Sequence, residues 1–258
     1  MLNQTRDLRV VSRNSMSKKR IKKHVLAFSG PDGTGKSSCA SILSRTLSSR
    51  NYGVFRTWIK TTHGIAFLIV RLLEKIDSKH VIRSASGTFV TNTLTKYTNM
   101  WLWIELSGIL MKMLIVRVNS ILRKLVTGKP TVVIADRFLL DSIVHISISK
   151  ILLNREDPLP HRILVLLNHP VFKILRSILL KYSFTIYLDG EVTELIKRNM
   201  RAGKADPYWY MVLQKHIYRV SVRALNIHSP YIDTSNKNLT EVCTEVLARL
   251  NREGVIKY

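Results

Sequence analysis

Residues 30–37 read Gly-Pro-Asp-Gly-Thr-Gly-Lys-Ser, which fits the pattern G-x-x-x-x-G-K-[ST]. Glycines in such a loop let backbone N–H groups turn toward one anion, and the start of the following helix adds positive potential. An apolar run, residues 24–29, precedes the loop, and a helical pattern follows it. That context is the one the motif requires. The loop therefore predicts a binding site for the phosphates of a nucleotide.

The chemistry of the loop predicts ATP and Mg²⁺ as cofactors. Lys36 would reach the β- and γ-phosphates, and the hydroxyl of Ser37 would bind Mg²⁺. The residues predicted to bind the nucleotide are Gly30, Asp32, Gly33, Thr34, Gly35, Lys36, Ser37 and Ser38.

A second candidate element is Asp136-Arg137, directly after the apolar run 131–135. In open α/β sheets, ligands bind at the carboxyl ends of the strands. Asp136 is therefore predicted to hold Mg²⁺ or its water, and Arg137 to clamp a phosphate.

Short apolar segments alternate with helical patterns along the chain. This alternation predicts the α/β class, a P-loop NTPase with a doubly wound parallel sheet of about five strands flanked by helices. The predicted strands are 24–29, 54–59, 131–135, 183–188 and 231–233. The predicted helices are 36–49, 65–75, 100–126, 138–153, 192–201, 208–227 and 239–251. The polar segment 77–95 is predicted to be an irregular insertion.

The chain combines strong basicity with high apolar content. It has 41 Lys+Arg against 17 Asp+Glu, a formal net charge of +24, and 46% hydrophobic residues. That apolar content excludes a disordered chain, and two cysteines exclude a disulfide scaffold. The charge calls for a phosphate-bearing partner, and the apolar content raises lipid as a second component. Nucleic acid is not excluded.

The basic excess extends over the whole chain. Residues 1–23 hold eight Lys/Arg and one acid, and they are predicted to be a flexible arm before a single P-loop domain, 24–258. The arm lacks an apolar core, so it does not read as a secretory signal. Since Cys39 and Cys243 are far apart in sequence, a reducing, cytoplasmic location is expected.

Segment 100–126 is the most apolar part of the chain, and 163–181 is the next. Glu105, Lys112 and Arg117 interrupt the first segment, which makes it a poor transmembrane span. A long buried or interface helix is predicted instead.

Three stretches resemble the thymidylate kinase branch of the nucleoside monophosphate kinases. They are FSGPDGTGKSS at 28–38, VVIADRF at 132–138 with Asp141-Ser142 nearby, and the two segments 187–206 and 231–250. The resemblance covers roughly residues 24–60 and 130–252. It implies transfer of the γ-phosphoryl group of ATP to a nucleoside monophosphate, which in that branch is dTMP.

The resemblance also implies residue roles. Asp32 would contact the sugar hydroxyl of the acceptor, Asp136 would organise Mg²⁺ and water, and Arg137 would bridge the donor and acceptor phosphates. A basic lid, about 198–207, would close over the transferred group through Arg198, Arg201 and Lys204. Lys36, Asp136, Arg137, Arg198 and Arg201 are the predicted catalytic residues.

The acceptor side departs from the family pattern. The stretch after the second strand reads FRTWIKTTHG at 55–64, where Arg56 or Lys60 would replace the usual phosphate-binding arginine and His63 has no assigned role. The apolar helix 101–126 lacks the family's base-reading pattern. The sequence thus leaves the small-molecule acceptor open.

Three hypotheses follow. The first is a nucleotide kinase that dimerises through its apolar helices. The second is a P-loop kinase for a non-nucleotide, lipid-linked acceptor at an anionic membrane surface. The third is a non-catalytic protein that binds ATP or nucleic acid, although no nucleic-acid-binding module is recognised.

Overall fold

The structure, a computed structural model, describes residues 25–76, 81–84, 87–90, 98–151, 159–204 and 206–255. Its strands are β1 Val25–Ser29, β2 Gly53–Thr57, β3 Val81–Ser84, β4 Gly87–Val90, β5 Thr131–Asp136, β6 Ser183–Asp189 and β7 Tyr231–Asp233. Its helices are α1 Lys36–Ser49, α2 Ile65–Ile76, α3 Thr98–Thr127, α4 Leu139–Ile151, α5 Leu159–Leu167, α6 Pro170–Tyr182, α7 Val192–Arg201, α8 Tyr208–Ala224 and α9 Leu239–Arg252.

Five strands form one parallel sheet in the order β2-β5-β1-β6-β7. The predicted class, a five-stranded parallel sheet flanked by helices, is confirmed. β1 lies at the centre, paired with β5 on one side and β6 on the other. Loops that leave the carboxyl ends of these three strands therefore meet at one edge of the sheet, where ligands bind in folds of this kind.

The two faces of the sheet contribute to two apolar cores. Along β1, Val25 and Ala27 belong to the core under α3, α4, α6 and α8, whereas Leu26 and Phe28 belong to the core under α1 and α9. All five β1 residues are buried. A strand covered on both faces is apolar throughout, which explains why the sequence showed a continuous apolar run here instead of an alternating one.

Two sequence predictions need correction. The segment 77–95 is not wholly irregular, because β3 and β4 pair antiparallel within it. The hairpin contains residue types that favour strands: Val81, Ile82, Phe89 and Val90. They occur in pairs within a polar segment, which is too short a pattern to predict a strand. The second strand also begins and ends earlier than predicted, at Gly53 and Thr57, since it pairs with β5 from Thr131 to Ala135.

Other boundaries shift by a few residues. The helix predicted for 208–227 ends at Ala224, and the helix predicted for 100–126 extends from Thr98 to Thr127. None of the helices in the described residues is long and apolar enough to cross a membrane. The predicted arm 1–23 lies outside the described residues.

The two cysteines, distant in sequence, are neighbours in space. The thiols of Cys39 on α1 and Cys243 on α9 are free, buried, and 3.4 Å apart. Burial raises the pKa of both thiols. They therefore pack as small apolar side chains between the two helices.

Candidate active site

The loop 30–37 connects β1 to α1 and lies at the carboxyl edge of the sheet. Its backbone turns sharply at Gly33, whose φ is +85°, and a side chain there would come within 2.6 Å of the Leu195 carbonyl oxygen. α1 begins at Lys36 with no side-chain cap on its N-terminus. Its first N–H groups are therefore available to an anion, as the motif predicted.

Lys36 lies across this loop. Its ammonium donates hydrogen bonds to the carbonyl oxygens of Gly30 and Pro31, each at 2.7 Å, and the side chain is buried. Burial lowers the pKa of Lys36, an effect that the nearby carboxylate of Asp32 partly offsets. Ser37 and Ser38, the next two residues, are exposed.

Asp32 is a buried carboxylate surrounded by positive charge. It forms an ion pair with Arg137 and lies 3.7 Å from the ammonium of Lys36. Burial by itself would raise the pKa of Asp32, but Lys36 and Arg137 outweigh it and hold that pKa well below its usual range. Asp32 is therefore a permanent anion that keeps the surrounding cations in place.

Arg137 has an unusual backbone. Its φ is +91°, a left-handed value that non-glycine residues rarely adopt. Two hydrogen bonds hold it there: its N–H donates to Phe28 O, and its carbonyl accepts from Ile59 N–H, each at 3.1 Å. Strain of this kind persists where the surroundings fix it, and it concentrates at functional sites. This backbone conformation directs the Arg137 guanidinium to Asp32.

Lys60 is the third cation near Asp32. Of the two residues proposed to replace the missing arginine, Arg56 is exposed on β2, whereas Lys60 interacts electrostatically with Arg137, Asp32 and Lys36. Burial and then the charge of Arg137 lower the pKa of Lys60 to about 8. The structure thus brings Lys60, and not Arg56, to the predicted phosphate site.

The loop that carries Lys60 is held against α3. Glu105, on α3, accepts a hydrogen bond at 2.7 Å from the N–H of Thr62, whose φ of +60° is rare for a β-branched residue. His63 accepts one from the N–H of Lys60 at 3.3 Å. His63 therefore has a role within the loop, and burial lowers its pKa to about 4.

Glu105 lies in a small polar cluster in an otherwise apolar helix. Trp101, Thr61, His145, Ser149 and Lys150 surround it. Burial raises the pKa of Glu105 to about 7 and lowers the pKa of Lys150 to about 8. The sequence indicated this carboxylate only as an interruption of segment 100–126.

Two residues of α8 also support the site through hydrogen bonds, although no sequence motif pointed to them. Gln214, buried on α8, accepts a hydrogen bond from Asp32 N–H at 2.9 Å. Tyr218, one turn further on, donates to Asp141 at 2.6 Å, and Asp141 also accepts from Ser29 at 2.5 Å. Asp141 thereby joins β1, α4 and α8 behind Arg137.

A cleft of about 600 Å³ extends from the loop toward α7 and the start of α9. Arg198, Arg201 and Lys204 line it together with the loop residues and Arg137. Arg198 donates hydrogen bonds to the carbonyl oxygens of Thr234 at 2.8 Å and Lys237 at 3.3 Å. It therefore ties α7 to the β7–α9 connection, whereas Arg201 and Lys204 are exposed. The lid role of these three residues stays a prediction.

The site fits a magnesium ion bound together with nucleotide phosphates. Among the described residues, Asp136 Oδ1 is buried and has no hydrogen-bond partner. The Ser37 hydroxyl is exposed at the start of α1. Mg²⁺ commonly takes one or two protein oxygens and completes its shell with phosphates and water. Asp136 and Ser37 are the residues that would hold it.

The five-stranded parallel sheet and the loop 30–37 define a P-loop NTPase fold. Thymidylate kinase from Candida albicans shares it, with a TM-score of 0.55, 14% sequence identity, and coverage of 90% of this chain and 93% of that one. Two other structures align less closely: deoxyadenosine kinase from M. mycoides with bound dCTP (TM-score 0.43, 15% identity, 88% and 99% coverage) and the YorR protein of Bacillus subtilis in complex with phosphorylated GDP (TM-score 0.45, 15% identity, 91% and 99% coverage).

No protein-family model matches the chain. No curated protein matches it significantly either. The resemblance seen in the sequence is confirmed as a shared fold.

Proposed function

We propose that this protein transfers the γ-phosphoryl group of ATP to a phosphate on a small-molecule acceptor. One arrangement carries the proposal: the buried carboxylate of Asp32 is ion-paired with Arg137 and lies 3.7 Å from the ammonium of Lys36, and Lys60 interacts electrostatically with it. Lys36 and the start of α1, together with Mg²⁺, would bind the triphosphate. Two further cations beside them are what an acceptor with its own phosphate requires, because the transfer brings two negatively charged groups together.

In this reaction an acceptor phosphate oxygen attacks the γ-phosphorus, and the bond from that phosphorus to the bridging β–γ oxygen breaks. ADP leaves with the bridging oxygen, and the acceptor gains one phosphoryl group. Arg137 would contact both phosphates, Lys60 the acceptor and Lys36 the donor. Mg²⁺ held by Asp136 and Ser37 would neutralise charge on the donor phosphates. Arg201 and Lys204 would reach the transferred group from the end of α7.

The nucleoside monophosphate class is the first choice of acceptor, with dTMP as the member that the sequence resemblance names. The shared fold supports this class, and Asp32 would bind the sugar hydroxyl as the resemblance implies. We assign the reaction to the cytoplasm, and the two free thiols of Cys39 and Cys243 are compatible with a reducing compartment.

A phosphorylated lipid is a second candidate acceptor. A cavity of about 470 Å³ lies between α3, α6 and the sheet, with mostly apolar walls. Ile59 and Phe138 line it, and these residues directly precede Lys60 and directly follow Arg137. An apolar chain in this cavity would lie close behind the two cations proposed for the acceptor phosphate.

The test is ADP release from ATP across nucleoside monophosphates, dTMP among them, and isoprenoid monophosphates. We expect release to depend on one acceptor class. Arg137→Lys should lower kcat by about a hundredfold or more, the effect typical of a lost transition-state contact. Arg45→Gln, at an exposed α1 position, is the matched control. Acceptor-independent ATP hydrolysis, or ATP binding with no turnover on any acceptor, would contradict the proposal.

A further inference from the structure

The second half of α3 carries a large uncovered apolar surface. Leu125 and Val126 have 73% and 85% of their surfaces exposed, and the other large apolar side chains of this half are 45% to 62% exposed, apart from the buried Val116. We call this surface, residues 114–126, the α3 face. Its most exposed apolar members are Leu114, Ile121, Leu122, Leu125 and Val126. Monomeric soluble proteins rarely leave contiguous apolar surfaces of this kind uncovered, so the α3 face has an occupant.

Basic residues are interleaved with this apolar surface. Arg117, Arg123 and Lys124 lie within it, Lys112 precedes it and Lys129 follows it. The whole stretch 106–135 has no Asp or Glu. Segment 158–188, which includes the neighbouring α6, adds four basic residues and also has no acid. The second half of α3 and the neighbouring α6 are therefore basic and apolar without an internal counter-charge.

We propose that the α3 face binds an anionic lipid surface. Apolar side chains with interleaved Lys and Arg are the composition of helices that lie in the membrane interface, where acyl chains take the apolar groups and anionic headgroups the cations. Attraction to an anionic leaflet also fits a chain of net charge +24. The proposal does not depend on the identity of the phosphate acceptor.

Charge argues against a second copy as the occupant. In a twofold dimer the same patch meets itself. Here that pairing would bring Arg117 and Lys124 close to the cations of the partner's patch, with no acid in 106–135 to compensate. Like charges that face one another across an interface strongly lower the affinity of the two partners. An anionic surface supplies the missing counter-charge.

The shape of the helix end points the same way. Every residue from 121 to 130 is exposed, so the last two turns of α3 are open on several sides. A protein partner packs against one side of a helix, whereas lipid surrounds an immersed helix end. The apolar cavity between α3 and α6 shares Leu114 and Ile121 with this surface, which adds apolar volume that lipid chains can enter.

The test measures sedimentation of the full chain with vesicles, without ATP. Vesicles of phosphatidylcholine with about 30% phosphatidylserine are compared with phosphatidylcholine alone. We expect binding to the anionic vesicles only, weakened when salt is raised from about 0.1 to about 0.5 M. Because the assay contains no nucleotide, its result is separate from success or failure of the proposed phosphoryl transfer.

Variants locate the binding surface. Lys124→Gln/Lys129→Gln should weaken binding by about 25-fold, since each basic residue near an anionic surface contributes about fivefold. Leu122→Ser/Leu125→Ser should weaken it at least about tenfold through the lost apolar groups. The matched control, Arg45→Gln/Arg252→Gln, changes two exposed cations on α1 and α9 and should bind as the parent does. Circular dichroism checks that each variant is folded.

Three results would overturn the proposal. The first is no sedimentation with anionic vesicles at low salt. The second is binding that both α3 variants leave unchanged, which would assign it to another basic segment such as residues 1–23. The third is a stable dimer in light scattering that Leu122→Ser/Leu125→Ser dissociates, because a second copy would then cover the α3 face.

Discussion

The carboxylate of Asp32 and the guanidinium of Arg137 form an ion pair that joins two loops 105 residues apart in the chain. Asp32 belongs to the loop after β1, and Arg137 follows β5, the neighbouring strand. Each residue is at the start of a connection that leaves the carboxyl edge of the sheet. The ion pair therefore couples the nucleotide loop to the side of the site proposed for the acceptor.

Asp32→Asn should destabilise the protein. The substitution leaves Arg137 partly buried without its counter-ion, and removal of one partner of a buried pair typically costs about 3 kcal/mol. Urea unfolding at pH 7 measures the loss. Glu194→Gln is the control, because its pair with Lys197 and its interactions with Arg198 and Arg201 lie at the surface, where single ion pairs contribute little, and the midpoint should stay unchanged. Equal midpoints for Asp32→Asn and the parent would show that the pair contributes nothing to stability.

Because Lys60 has a lowered pKa, we expect acceptor binding to depend on pH. Its pKa is lowered to about 8, so the side chain is charged below that pH and neutral above it. A neutral Lys60 attracts an acceptor phosphate less, and KM for the acceptor should rise as pH increases through about 8, by about tenfold for one lost charged contact.

Lys60→Arg is the matched variant for that profile. Arginine stays charged throughout this range, so the rise in KM should vanish. The same inflection near pH 8 in Lys60→Arg would assign the titration to another group.

Because Glu105 has a raised pKa, we expect the unfolding free energy to change with pH between about 4.5 and 7. Burial raises its pKa from 4.5 in the unfolded chain to about 7, so the folded protein binds a proton more tightly than the unfolded chain does. The contribution of Glu105 to stability is therefore complete below pH 4.5 and declines as pH rises toward 7, by on the order of 3 kcal/mol. Urea unfolding across this range measures it.

Glu105→Gln isolates that contribution. The amide is neutral at all pH values and its oxygen can still accept from Thr62 N–H. The unfolding free energy of the parent minus that of Glu105→Gln should fall steadily from pH 4.5 to pH 7. A difference that is constant with pH would mean that Glu105 titrates alike in the folded and unfolded chains. Lys150, whose pKa is lowered to about 8, contributes only at higher pH.

Gly108→Ala should disturb the loop that carries Lys60. A Cβ at position 108 would lie 2.2 Å from the carbonyl oxygen of His63, so the loop must move away from α3. We expect KM for the acceptor to rise by about tenfold or more, because small displacements of positioning groups have effects of this order or larger. The KM for ATP should stay unchanged, since the nearest atoms to a side chain at position 108 all belong to His63 and none to the loop 30–37.

Ser107→Ala is the control for that substitution. It changes the neighbouring, exposed position on α3 and removes only a hydrogen bond to its own helix. Kinetics of Gly108→Ala with both KM values unchanged would show that the close approach of α3 and His63 has no part in acceptor binding.

Local patterns were sufficient for the donor side of the site. The loop 30–37 and the pair Asp136-Arg137 follow buried strands, and parallel strands bring their carboxyl ends to one edge. Their placement together is therefore implied once the strands are recognised. The strand hairpin β3–β4 was missed because its strands have only four residues each, too short for a periodic pattern.

The acceptor side could not be predicted in this way. Gln214 contacts Asp32 across 182 residues, and Glu105 contacts Thr62 across 43. Neither residue belongs to a motif, and each looks like an isolated polar residue in a helical segment. Their roles depend on how α8 and α3 pack on the sheet, which is decided by the whole core.

The class of fold, the phosphate loop and the combination of basic and apolar composition could all be predicted from the amino-acid sequence. These properties depend on residues close together in the chain or on sums over it. Three relations depend on the packed fold: Lys60, and not Arg56, interacts electrostatically with Asp32, Glu105 holds the loop that carries Lys60, and the second half of α3 exposes most of its apolar side chains. Burial and charge pairing are relations between distant segments, and only the packed chain establishes them.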